Sequence, residues 1–181
     1  EPAYGVYAQM YTNGQTVVAT ALPMLTNETA GVVMACTGWV LTRTAADGQI
    51  TVQKGTGTTA EFSVAANETL TLTWQLAYQA VWIDVADDHN GQYGITSPGS
   101  GWYTYGKPVS FVATPKAGFA FQYWTCGTSG AVVDGISGVT TALLTFTAEA
   151  PVDLMATYRS GTAGPVPETN TVTMAAAFVE G

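Results

Sequence analysis

The strongest constraint on this chain is that it repeats itself. Residues 11–23, YTNGQTVVATALP, return without a gap as residues 103–115, YTYGKPVSFVATP, so that Val17, Ala21 and Pro23 are matched by Val109, Ala113 and Pro115. With small insertions the match continues: Ala30-Gly31 against Ala117-Gly118, Thr58-Thr59-Ala60 against Thr140-Thr141-Ala142, and Phe62 and Val64 against Leu144 and Phe146. Each copy ends in an alternating strand closed by an aromatic residue, Leu70-Thr71-Leu72-Thr73-Trp74 and Leu154-Met155-Ala156-Thr157-Tyr158. A repeated unit of this size signals a modular architecture. Enzymes seldom duplicate a whole unit without placing catalytic groups between the copies, so the repeat favours a scaffold or binding role.

Strand signals fill both copies, and no segment carries a 3.6-residue period. β-Branched, aromatic or alternating residues mark strands at 5–10, 16–21, 31–36, 49–53, 60–64, 69–78 and 81–85. In the second copy they recur at 109–114, 119–124, 131–133, 142–147 and 152–158. Asn13-Gly14, Asp47-Gly48 and Asn90-Gly91 are the dipeptides of tight hairpins. The expectation is an all-β protein of two tandem modules, sandwiches or grasp-like sheets, over residues 1–77 and 78–159. A Gly-, Pro- and Thr-rich linker, 160–168, follows, and then an extra C-terminal strand within 169–181. That strand repeats the closing pattern a third time, with Val172, Met174, Ala176 and Phe178 alternating along it.

Composition narrows the function. Charged residues are only 10% of the 181, against roughly 25% in an ordinary soluble domain, so threonine and other uncharged polar residues must keep the surface wet. That suits the half-solvated face of a sheet. A net charge of −8 with five Lys and Arg repels phosphate backbones and excludes nucleic acid as a partner. No apolar run approaches the roughly 20 residues that cross a bilayer. Glu1-Pro2 reads as a processed or trimmed start, so the lack of a leader is no argument for the cytoplasm.

The stretch GKPVSFVATPKAGFAFQYWT, residues 106–125, together with the aromatic-closed strand ending at Tyr158, resembles the divergent form of the B-repeat found in bacterial surface proteins such as internalin-like adhesins and stalk proteins. Copy one departs from the pattern, with extra residues between Pro23 and Gly31 and Gly31-Val32-Val33-Met34 where a Gly-aromatic-x-Phe step belongs. There Trp39, in Thr37-Gly38-Trp39, stands as the equivalent aromatic. The resemblance implies a β-rich extracellular module with no catalytic residues to carry over.

Candidate sites are few. Asp84, Asp87, Asp88 and Asn90 surround the single histidine, His89, and offer the hard oxygen ligands of a calcium loop, but without its alternating spacing or terminal Glu, so a solvated hairpin is the favoured reading. No other cofactor is suggested. One histidine and no G-x-S-x-G elbow argue against a hydrolytic triad. Cys36 and Cys126, one in each copy, fit either a disulfide joining the copies or two buried thiols. Asn27-Glu28-Thr29 and Asn67-Glu68-Thr69 have the form of glycosylation sequons but read better as turns. Trp102, Tyr103, Tyr105 and Trp124 could stack on sugar rings if exposed, against the commoner role of aromatics in core packing.

The leading expectation is a non-enzymatic extracellular structural protein, protomer of a surface fibre, stalk or layer. Its partners are copies of itself, joined at sheet edges through Val172, Met174, Ala176 and Phe178. The alternative is an adhesin or carbohydrate-binding module using the aromatic residues.

Overall fold

The computed structural model describes residues 9–126 and 135–161. Twelve strands and no helix are present among them: β1 (Thr16–Thr20), β2 (Met24–Asn27), β3 (Val32–Thr44), β4 (Ile50–Thr56), β5 (Thr59–Ser63), β6 (Thr69–Asp87), β7 (Gly94–Ser97), β8 (Gly101–Thr104), β9 (Pro108–Pro115), β10 (Phe119–Cys126), β11 (Leu143–Thr147) and β12 (Val152–Ser160). They form several sheets, none closed. The chain divides into two compact units, Glu1–Leu25 with Met34–Ala77, and Thr26–Val33 with Tyr78–Gly181.

The sequence repeat is a repeat in space. Each copy opens on the same turn, in which Gln15 N–H bonds Thr12 C=O at 3.0 Å and Lys107 N–H bonds Thr104 C=O at 3.3 Å. Gly14 and Gly106 hold this turn at φ +80° and +70°, backbone angles that a side chain resists. From there β1 pairs antiparallel with β5 and β9 with β11 in one register: Val17 faces Phe62 as Val109 faces Phe146, and Ala19 faces Ala60 as Phe111 faces Leu144. Phe62 therefore answers to Phe146, not to Leu144, so the alignment by residue type ran one full alternation early. Because side chains alternate with a period of 2, that slip left every inward residue on the correct face.

A tryptophan anchors each unit. Trp39 on β3 donates its indole N–H to Thr59 C=O at 2.9 Å, and Trp124 on β10 donates to Thr141 C=O at 3.0 Å. Both rings are buried. Trp39, read from the sequence as the equivalent of the aromatic step, is thus the counterpart of Trp124, and it lies over Gly55 of β4, where any Cβ would enter the ring.

The two cores differ in size. The second packs Val81, Ile83, Phe111, Trp124, Leu144, Phe146, Leu154 and Tyr158 with other buried neighbours. The first holds Trp39, Leu41 and Ala60, with Phe62, Leu70, Leu72 and Trp74 only partly buried against them. Two substitutions explain much of this: the cross-strand pair Phe111 and Leu144 becomes Ala19 and Ala60. Each lost large side chain removes about 1.5–3 kcal/mol of burial.

Several expected elements are redrawn. The strands at 69–78 and 81–85 are one 19-residue strand, β6, whose inward residues move from even positions (Leu70, Leu72, Trp74) to odd ones (Val81, Ile83) along its length. The residues that interrupt copy one after Pro23 are not idle, since Thr26–Val33 belongs to the second unit, where Gly31 C=O accepts from Trp82 N–H at 2.8 Å. The short strands β2, β7 and β8 went unseen in the sequence. The expected strand at 131–133, the linker beyond Gly161, the strand within 169–181 and most of the strand at 5–10 lie outside the described residues.

Arg43 and Glu68 tie the loop before β6 to β3. The guanidinium donates to both carboxylate oxygens at 3.0 and 3.2 Å and to Ser63 C=O at 3.0 Å. The Ala65 N–H also donates to Glu68, and this bond most of all, then Arg43, holds the carboxyl below its ordinary value of 4.5 against the opposing effect of burial. A lowered native value stabilises the fold above pH 4.5, and that stabilisation is lost as the pH falls through the native value. Glu68→Gln is therefore expected to lower the urea midpoint at pH 7. The gap to the parent should narrow as the pH falls below 4.5, and a gap that stayed constant in acid would show that the charge is not what the site uses.

Candidate functional sites

The first site is a strand edge. In the second unit the closing strand β12 is paired on both sides, antiparallel with β10 and parallel with the later part of β6, where Val152, Leu154 and Ala156 face Ile83, Val85 and Asp87. Leu154, Ala156 and Tyr158 are consequently buried. The earlier part of β6 is the closing strand of the first unit, with Leu70, Leu72 and Trp74 in the places of Leu154, Ala156 and Tyr158. It lies beside β3, yet among the described residues no strand lies on the side where β12 receives β6. Its inward residues are left half-buried. A second open edge is β4, which pairs only with β3 among the described residues and exposes Ile50 and Val52 by 63% and 57%. Lys54 lies on it, a charge of the kind that discourages chance pairing.

The second site is an aromatic face in the second unit. β6 and β8 place Trp82 directly opposite Trp102, with Ala80 opposite Thr104. Since Trp82 N–H points to Gly31 and Gln79 C=O accepts from Tyr105, this is a pair without mutual backbone bonds, the kind that brings side chains closest. The rings meet edge to face at 5.4 Å and are 36% and 40% exposed. Tyr78, on the same alternation, stacks on Tyr105 at 5.3 Å. At the other end Asp84 accepts a hydrogen bond from Ser100 Oγ at 2.7 Å.

Of the four aromatics proposed to stack on a ligand, Trp102 alone has an open face of this kind. Trp124 is fully buried and Tyr103 packs against Phe111, its hydroxyl bonded to Gly99 C=O and its proton held more tightly by burial. Tyr105 is half-buried against the core and shares its ring with Tyr78. The inward alternation of β10 takes Trp124 out of reach, as the same rule presents Trp82. Trp82 was missed, although its position between Val81 and Ile83 marks it as outward-facing.

The acidic loop serves itself. Asp87 accepts from the N–H groups of His89 and Gly91, and Asp88 accepts from Tyr158 N–H at 3.2 Å and lies 2.8 Å from His89 Nδ1. Asp84 serves Ser100, so Asp84, Asp87, Asp88 and Asn90 do not converge, and no cluster of metal-ligating side chains occurs among the described residues. Asn90 and Gly91 form the expected tight turn, closed by Gln92 N–H on His89 C=O at 3.0 Å. His89 stacks on Tyr93, which stacks on Phe119. Cys36 and Cys126 are half-buried thiols and do not form the disulfide considered from the sequence. Asn27 caps its own turn through Ala30 N–H, and Asn67 takes φ +58° in another, as expected of turn residues.

Residues 84–162 match the family model of the divergent InlB B-repeat domain. That segment of the chain is a divergent B-repeat module, as its resemblance implied, and such modules point to a surface-associated bacterial protein. Neither the characterised proteins nor the solved structures compared with the chain gave a match.

The burial difference between the two tryptophans gives a direct check. Trp124→Ala is expected to cost about 3–5 kcal/mol, through a large cavity and an orphaned carbonyl. Trp102→Ala should cost about 0.5–1.5 kcal/mol, the worth of an aromatic pair. Urea unfolding of the two variants measures both, and equal losses would contradict the assignment of one ring to the core and the other to the surface.

Proposed function

We propose that this protein is a non-enzymatic structural module of the bacterial cell surface that joins copies of itself head to tail by strand addition. The observation that carries this reading is the unequal treatment of the two closing strands. β12 has β6 laid along it in parallel, whereas the corresponding edge of β6 beside Leu70 and Leu72 has no strand among the described residues. An open edge bordered by half-buried leucines offers both main-chain hydrogen bonds and apolar surface to an incoming strand.

The chain carries a sequence suited to that place. Residues 171–179 are uncharged and alternate Val172, Met174, Ala176 and Phe178, much as the inserting part of β6 alternates Val81, Ile83 and Val85. In a longer array of repeats, each module would receive a strand continuing from its predecessor's closing strand, as β12 does here. The open edge of the first unit can be completed by residues 171–179 of another molecule. Such a contact uses different surfaces on the two partners and does not close on itself, so it generates a filament.

The test combines electron microscopy of the concentrated protein with deletion of residues 169–181. The full chain is expected to form filaments and the truncated chain none. A synthetic peptide of residues 169–181 should bind the truncated chain and stop growth of the full one. A full chain that stays monomeric, with the truncated form equally stable and indifferent to the peptide, would overturn the reading.

A further inference from the structure

We infer that the Trp82–Trp102 face is a binding site for a neutral oligosaccharide. Two indoles at directly opposed positions of β6 and β8 keep 36% and 40% of their surface exposed, while Trp39 and Trp124 are buried and hydrogen-bonded. The chain has few charged groups, and each apolar surface patch it keeps is a liability for solubility unless a ligand covers it.

The surroundings of the pair select the ligand. A pyranose ring has an apolar C–H face and a rim of hydroxyls, so it needs an aromatic platform with hydrogen-bonding groups at the edge. Asp84 follows Trp82 on the same outward alternation, and its carboxylate, exposed and held by Ser100 Oγ at 2.7 Å, is a fixed acceptor for sugar hydroxyls. Ser100 Oγ is itself fixed, since it accepts from Val85 N–H at 2.8 Å. On the other side of the tryptophans come the small pair Ala80 and Thr104 and then the exposed Tyr78, on the same alternation as Trp82. Four strand positions separate Tyr78 from Trp82, roughly 13 Å, which suits an extended chain of sugars better than a single one. A carboxylate at the rim and a net charge of −8 disfavour uronic, sulfated or phosphorylated glycans.

This inference is independent of filament formation, because the aromatic face and the open edge of β6 use different residues. It is tested by titrating the full-length protein, by isothermal calorimetry, with soluble neutral oligomers of β-linked glucose, N-acetylglucosamine and mannose, and with oligogalacturonate as the anionic control. At least one neutral oligomer is expected to bind, and the anionic one not. Trp82→Ala and Trp102→Ala should each weaken binding by about tenfold or more, with circular dichroism unchanged, and Asp84→Asn by a smaller factor. Tyr123→Ala, a similarly exposed aromatic on β10, should leave binding as it is. Failure of every neutral oligomer to bind at millimolar concentration, or binding that survives Trp102→Ala, would overturn the inference.

Discussion

A strand that closes a β module gains from partners on both edges, and among the described residues this chain supplies them once and omits one of them once. β12 lies between β10 and β6, and its inward residues Leu154, Ala156 and Tyr158 are buried. The first part of β6 has β3 beside it, and Leu70, Leu72 and Trp74 stay half-exposed. A buried strand gains both its ladder of hydrogen bonds and its apolar contacts, so the difference reaches from backbone chemistry to stability and to what the surface can do. The thin first core, with Ala19 and Ala60 where the second has Phe111 and Leu144, follows the same asymmetry.

Within each unit the buried tryptophan turns a sheet into a module. Trp39 and Trp124 bond to backbone carbonyls near the starts of β5 and β11, which fixes where those strands begin and so fixes their register on β1 and β9. Indole N–H groups that found no acceptor there would carry the cost of burial unpaired. The pairing of a large ring with a small neighbour recurs as well: Trp39 lies over Gly55, and Tyr158 lies over Gly94 and donates its hydroxyl to Ile95 C=O. In both places the ring occupies the space that a side chain on the facing strand would need.

Much of this was legible in the sequence because it depends on local rules. Alternation, hairpin dipeptides and the repeat located most strands of both copies and the aromatic that closes each. Trp39 was legible as copy one's equivalent aromatic, although its match to Trp124 comes from the structure. What stayed hidden depends on long-range pairing. Nothing local tells that β6 continues past Trp74 into a second unit with its buried face changed from even to odd positions, or that Thr26–Val33 is built into the second unit. The short strands β7 and β8 exist through their partners β9 and β6 and carry little signal alone. For the same reason Trp102 and Trp124 stood as equal candidates for surface or core, although the strand of Trp124 turns it inward, and Trp82, remote in sequence from its partner Trp102, was not singled out.

The proposed strand addition requires the edge of β6 beside Glu68–Leu72 to be open in the single chain and filled on assembly. Hydrogen exchange read by mass spectrometry, on dispersed and on assembled protein, addresses that edge directly. Peptides covering residues 68–74 and 169–181 are predicted to exchange rapidly when dispersed and to become protected together on assembly, with those covering β12 protected throughout. Protection of residues 68–74 already complete in dispersed protein, or assembly that protects only β4 at 50–56, would contradict it.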